Sequence, residues 1–143
     1  EEFKKSRMGV LEEDLSKYHN FEKFKGKWIF VTEKYVKNIF KRKQKKPKKF
    51  DFILIFDLSI KFVIETNFYS TQGTKIGINE EEYIDLNDEI NDKYPNMNFI
   101  WITDGNYWLT KDGENKFNND LNYFGNNLLN YNQFKQLLKK VVS

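Results

Sequence analysis

The stretch that most limits what this chain can fold into runs from Lys49 to Lys75, KFDFILIFDLSIKFVIETNFYSTQGTK. It holds two apolar runs, Phe50 to Phe56 and Ile60 to Ile64, joined by Asp57-Leu58-Ser59. Both are rich in Phe and Ile, and both are short enough to be strands. Near-continuous apolar character predicts burial on both faces, the environment of central strands. A three-residue loop at Asp57-Leu58-Ser59 makes the pair a hairpin in which Phe56 faces Ile60. Asp51 then lies opposite Glu65. Opposite residues share a face, with Cβ atoms about 5 Å apart, and alternation brings Asn67 to the same face. A slip of one residue would undo this arrangement.

Two carboxylates so placed repel, and either a divalent cation or a shared proton relieves the repulsion. An all-oxygen donor set suits Mg²⁺, Mn²⁺ or Ca²⁺ rather than zinc. The plainer alternative is a strand-end Asp and Glu facing solvent, and spacing alone does not choose between them. Composition narrows the chemistry. The chain has no cysteine and a single histidine, His19, which excludes disulfides, thiolate catalysis and multi-His metal sites. Hydrolytic chemistry here would rest on carboxylates, Lys and metal.

The 143 residues suffice for one α/β domain with a real core, and 17% aromatic content supports a folded chain. No apolar run reaches the ~20 residues of a membrane span. The opening Glu1-Glu2-Phe3-Lys4-Lys5 lacks the apolar core of a signal peptide. Net charge is only +3 but unevenly spread. Lys41 to Lys49 is strongly basic and suits phosphate, with a solvated loop as the alternative. In that run Lys45, Lys46, Lys48 and Lys49 are candidate DNA contacts.

Taken in order, Phe3 to Tyr18 reads as an amphipathic helix with Met8, Leu11, Leu15 and Tyr18 on one stripe. Lys27 to Thr32 has strand character. Glu33 to Lys43 reads as a helix, ended before Pro47. Phe68 to Ile78 reads as a loop. In it Tyr69, Ser70, Thr71 and Gln72 offer hydroxyls and an amide to phosphates or base edges, and Lys75 offers a cation to a phosphate or a water. Asn79 is a plausible N-cap for a helix reaching about Tyr94, with Tyr83, Leu86 and Ile90 inward. Asn98 to Thr103 is a buried strand ending in an Asp104-Gly105 turn. Lys116 to Phe124 and Asn132 to Val142 read as helices, and Asn126 to Asn130 as a short edge strand. No internal repeat or domain boundary is visible.

Several blocks together resemble the PD-(D/E)XK nucleases, and more closely type II restriction endonucleases of the DpnII/MboI kind. They are Phe50-Asp51-Phe52, Ile64 to Ser70, Gly73-Thr74-Lys75, and Trp101-Ile102-Thr103-Asp104-Gly105 with Trp108. An upstream Arg7-Met8-Gly9 followed by Glu13 fits as well. The resemblance spans most of the chain and departs from the wider superfamily at its usual catalytic Lys, where Asn67 stands. It implies a mixed central sheet flanked by helices, the restriction-endonuclease-like core. It also implies a single nuclease domain over residues 1–143 that forms the C-terminal part of a longer enzyme. Asp51, Glu65 and the Thr66 carbonyl would hold one or two Mg²⁺ ions, with Glu13 adding a carboxylate. Asn67 would orient the attacking water and Lys75 would stabilise charge. The further implications are double-stranded DNA cut at GATC, a homodimer to match that symmetric site, and a restriction–modification role in a prokaryotic cytoplasm. Asn67 in place of Lys keeps a non-catalytic DNA-binding domain open as the rival reading. A repair or structure-specific nuclease of the same fold is the second.

Overall fold

The computed structural model describes residues 25–32, 40–42, 45–48, 50–57, 59–70 and 76–142. The expected helix from Phe3 to Tyr18, with Glu13, lies outside them. The chain divides into two compact units, Glu1–Ile64 and Glu65–Ser143.

The first unit is built from β1 (Trp28–Thr32), β2 (Phe40–Arg42), β3 (Lys45–Lys48), β4 (Phe52–Phe56) and the first part of β5 (Ser59–Phe68). β1 pairs antiparallel with β4 from Trp28 opposite Phe56 to Thr32 opposite Phe52. Ile53, Leu54 and Ile55 of β4 are all buried, as a central strand with both faces covered requires. The Trp28–Phe56 and Phe30–Phe52 ring pairs add cross-strand contacts between β1 and β4.

The hairpin differs from expectation in its loop and agrees at its open end. Phe56 pairs with Ser59 and Ile55 with Ile60, so the loop holds two residues, not three. Asp57 takes a positive φ of 51°, a conformation that Asp tolerates and two-residue hairpin turns demand. Its Oδ1 accepts from the Gly26 N–H at 2.6 Å. The register then shifts between Leu54 and Ile55, because Lys61 is an extra residue on β5. That bulge restores the residue the short loop removed. Phe52 ends up opposite Ile64, the pairing that a three-residue loop without a bulge would produce.

The helix expected over Glu33 to Lys43 is corrected where it can be seen. Phe40–Arg42 is a strand, paired antiparallel with Lys45–Lys48 in a separate two-stranded ribbon. Pro47 supplies the reason: the residue before a proline is driven out of the helical region, so the segment extends and its neighbour pairs with it. Residues 33–39 lie outside the described residues.

The second unit begins at Glu65 on β5 and continues with α1 (Ile76–Lys93), β6 (Asn98–Asp104), α2 (Lys111–Phe124), β7 (Leu128–Leu129) and α3 (Tyr131–Val142). The strand order of the mixed sheet is β1-β4-β5-β6-β7, with β7 parallel to β6. This is the expected α/β class. Leu86, Ile90, Phe99, Ile100 and Trp101 are fully buried, at about 1.5–3 kcal/mol for each large apolar side chain. α1 starts at Ile76, so Asn79 is inside the helix and not its N-cap. α2 starts at Lys111 instead of Lys116. Thr110 caps it, its Oγ1 accepting from the Gly113 N–H at 3.0 Å, worth about 1 kcal/mol.

The Asp104-Gly105 turn is present and has a steric cause. Gly105 sits at φ 118°, and a Cβ there would lie 2.1 Å from the Tyr69 carbonyl oxygen. Only glycine lets the backbone after β6 approach the backbone after β5 so closely. The Tyr69 N–H donates to the Asp104 carbonyl at 2.9 Å, and the Tyr107 N–H to the Tyr69 carbonyl at 3.3 Å. Asp104 also receives the Gly105 N–H on Oδ1 and the Tyr131 N–H on Oδ2, so it serves both the turn and the start of α3.

Candidate active site

β5 carries Glu65, Thr66 and Asn67 in succession. Glu65 is a buried carboxylate, 4% exposed, and Thr66 and Asn67 are half-buried. Alternation puts Glu65 and Asn67 on one face of the strand. Asp51 is half-buried and stands one residue before β4.

The side chain of Asn67 is held from two sides. Its Oδ1 accepts from the Tyr83 hydroxyl of α1 at 2.9 Å and from the Trp101 Nε1–H of β6 at 2.8 Å. Trp101 is fully buried, packed edge-on against Tyr83, Trp108 and Phe124. Tyr83 is buried too, and that burial, with the Glu65 carboxylate nearby, pushes its hydroxyl well above the ordinary tyrosine value. It is therefore a donor at any working pH. A buried Trp or Tyr must find a partner for its polar end, and here both find the same oxygen. The sequence pattern marks Tyr83 as a core aromatic and Trp101 as part of a buried strand and of a resembling block, with no link from either to Asn67. Their wider role shows only once α1 and β6 pack beside β5.

The candidate DNA contacts separate. The Tyr69 ring is buried, 6% exposed, and meets Trp108 edge-on. Its hydroxyl accepts from the Asn79 Nδ2 at 2.6 Å, and burial pushes it up to about 12. Tyr69 thus packs its ring into the core. Ser70 is exposed. Thr71, Gln72 and Lys75 lie outside the described residues, as do Lys49 and Glu13. The backbone of Lys45, Lys46 and Lys48 forms β3, so the basic run is carried by a strand ribbon in place of a helix and loop. Among the described residues no group of three or more Asp, Glu, His or Cys is gathered as for a metal ion. No described helix is long and apolar enough to cross a membrane.

A model of the DpnII restriction endonuclease family matches residues 3–140. The type II restriction enzyme MjaIII of Methanocaldococcus jannaschii is 38% identical over 102 residues, 69% of this chain and 34% of that protein. MboI of Moraxella bovis, also a type II restriction enzyme, is 40% identical over 63 residues, 44% of this chain and 22% of MboI. DpnII of Streptococcus pneumoniae, likewise a type II restriction enzyme, is 39% identical over 61 residues, 43% of this chain and 20% of DpnII. The matched segment therefore spans about a third or less of each relative's length. No solved structure matches the chain. With all but a few terminal residues covered by the family model, the chain belongs to the DpnII restriction endonuclease family.

Proposed function

We propose that the protein hydrolyses phosphodiester bonds of double-stranded DNA as a Mg²⁺-dependent type II restriction enzyme. The observation that carries this reading is β5: a buried carboxylate at Glu65 and, two residues on, a firmly held amide at Asn67, in a chain of a restriction endonuclease family. The hairpin register supports adding Asp51. The last pair is Phe52 opposite Ile64, and Asp51 and Glu65 are the next residues outward from it.

The donor set fits a hard cation. Asp51, Glu65 and the Thr66 carbonyl offer only oxygen, and Glu13 would add another carboxylate. A bound Mg²⁺ would lower the pKa of a water and offset charge developing on the phosphate. The water oxygen joins phosphorus as the bond from phosphorus to one sugar oxygen breaks; the water gives up its proton to a neighbouring substrate phosphate, and the leaving sugar oxygen takes one from solvent. Asn67 cannot take the water's proton, because an amide is not a base near neutral pH, and instead orients the water through its NH₂. Lys75 offsets charge on the phosphate. Lys45, Lys46, Lys48 and Lys49 hold the DNA backbone, and Ser70, Thr71 and Gln72 reach base edges or phosphates. GATC, the target the resemblance implies, is symmetric and matches a homodimer with one site per strand.

Plasmid cleavage by the intact protein in Mg²⁺ tests the reading. Discrete fragments ending at GATC are expected. Nicks or a smear would point to a nuclease of another kind, and binding without cleavage to the non-catalytic rival. Light scattering of the intact protein, free and with a GATC duplex, is expected to show a dimer.

A further inference from the structure

We propose that Tyr83 and Trp101 are positioning residues for the reaction: by donating to Asn67 Oδ1 together, they turn the amide so that its NH₂ is the end offered to water or substrate. The inference rests on the proposed role of Asn67 and adds what fixes that residue.

The chemistry of the donors sets the orientation. An indole N–H can only donate. The Asn67 atom 2.8 Å from Trp101 Nε1 is therefore the carbonyl oxygen, and the NH₂ must be the other arm of the amide. The Tyr83 hydroxyl, 2.9 Å from the same oxygen, donates as well. Two donors fill both lone pairs of Oδ1. Among the described residues all the side-chain hydrogen bonds of Asn67 fall on that oxygen. An Asn free to flip would present a donor half the time and an acceptor the rest. Held in this way, it presents a donor only.

The holders are themselves rigid. Trp101 sits on a buried strand and is braced by Trp108 and Phe124, and Tyr83 is buried on α1 against Phe99 and Trp101. The arrangement also accounts for Asn where the wider superfamily has Lys. An ammonium carries three donors and no acceptor. At position 67 it would face two donors and satisfy neither.

The test uses the intact protein and four variants: Asn67→Ala, Asn67→Asp, Tyr83→Phe, and Tyr83→Phe combined with Asn67→Ala. One readout is single-turnover cleavage at saturating enzyme, with DNA affinity measured in Ca²⁺. The other is hydrogen exchange of the Trp101 indole N–H by NMR, which needs no activity. Tyr83→Phe should slow cleavage roughly 3- to 10-fold, the rate equivalent of one net hydrogen bond, with affinity unchanged. In the Asn67→Ala background it should slow cleavage no further. Indole exchange should quicken in Asn67→Ala but stay slow in Asn67→Asp, whose carboxylate still accepts from both donors. Cleavage should fall in both, because neither has an NH₂.

An indole indifferent to Asn67→Ala would overturn the clamp itself. A Tyr83→Phe penalty of equal size in both backgrounds would overturn the positioning role and leave a merely structural one. Wild-type rates from Asn67→Asp would overturn the need for the NH₂. If Asn67→Ala cleaves normally while the indole responds, the clamp exists and the proposed role of Asn67 has failed. A wild-type protein that cuts no DNA overturns the functional reading and the positioning role together.

Discussion

Two carboxylates in this protein are buried to the same 4%, Glu65 on β5 and Asp120 on α2, and their surroundings differ in kind. Glu65 stands two residues from a polar side chain whose carbonyl is fully paired, on a strand that continues the hairpin. Asp120 faces another acid. Burial, and then the neighbouring Glu80 carboxyl, push its carboxyl up to about 8, while Lys116 pulls the other way. Lys116 Nζ lies 3.6 Å from Glu80. Asp120 Oδ2 has no hydrogen-bond partner among the described residues. Burial alone therefore does not mark a reactive carboxylate. In the proposed reading what marks one is a neighbourhood built to use its charge, whereas at Asp120 burial beside a second acid disfavours the charged form.

The largest effect should separate the two. Glu65→Gln and Asp51→Asn should each lower Mg²⁺-dependent cleavage by about 10³-fold or more, since removing one ligand removes several kcal/mol of metal assistance. DNA binding should persist, because negative charge is lost. Asp120→Asn should leave cleavage unchanged. Single-turnover rates beside binding in Ca²⁺ decide it. Near-normal cleavage by Glu65→Gln, or a loss of similar size in Asp120→Asn, would collapse the distinction.

Asn67→Lys asks whether the pairing around β5 matters to the fold. The substitution restores the superfamily's usual residue and yet should not improve cleavage. It should also destabilise, because the buried Trp101 N–H and Tyr83 O–H lose their acceptor, at about 1–3 kcal/mol for an orphaned buried donor. A thermal midpoint a few degrees lower is the expected sign. An Asn67→Lys protein as stable as wild type would mean those donors find another acceptor.

These two cases show how far the sequence can be read. Glu65 and Asn67 stood out because their carboxylate and amide close an apolar run, a pattern local enough to see. Phe52 pairs with Ile64 as a three-residue loop would have it although the loop holds two, since a bulge at Lys61 offsets the two-residue turn at Asp57. Periodicity carries no trace of a bulge. The clamp was invisible because its partners are 16 and 34 residues away and read as core. Asp120 is one more acid in a polar helix, with nothing in the sequence to set it apart. Phe40 to Arg42 is a strand and not part of the expected helix because pairing with the proline-bearing strand decides it.

The basic ribbon tests a region whose proposed work is contact with the DNA backbone. Neutralising Lys45, Lys46, Lys48 and Lys49 together should weaken DNA binding without changing which sequence is cut, as phosphate contacts add affinity but little sequence information. Each lost contact should flatten the slope of log affinity against log salt by about 0.9. A slope unaltered by all four changes would make β3 a solvated ribbon.

At Asp120 the expected effect concerns stability alone. Its carboxyl titrates near the ordinary 3.8 when unfolded and near 8 when folded. Between those values the folded state binds the extra proton, so stability must fall as pH rises across the window. The contribution is fully present below about pH 4 and lost as pH passes through about 8. Asn carries no such proton at any pH and is close to the protonated acid in shape. Asp120→Asn should therefore match the wild type near pH 4 and become progressively the more stable of the two towards pH 9. Thermal midpoints of both proteins across that range measure the difference directly. A difference that stays flat with pH would mean that the folded protein keeps Asp120 charged, with Lys116 turned from Glu80 to Asp120, and the contrast with Glu65 would then rest on sequence position alone.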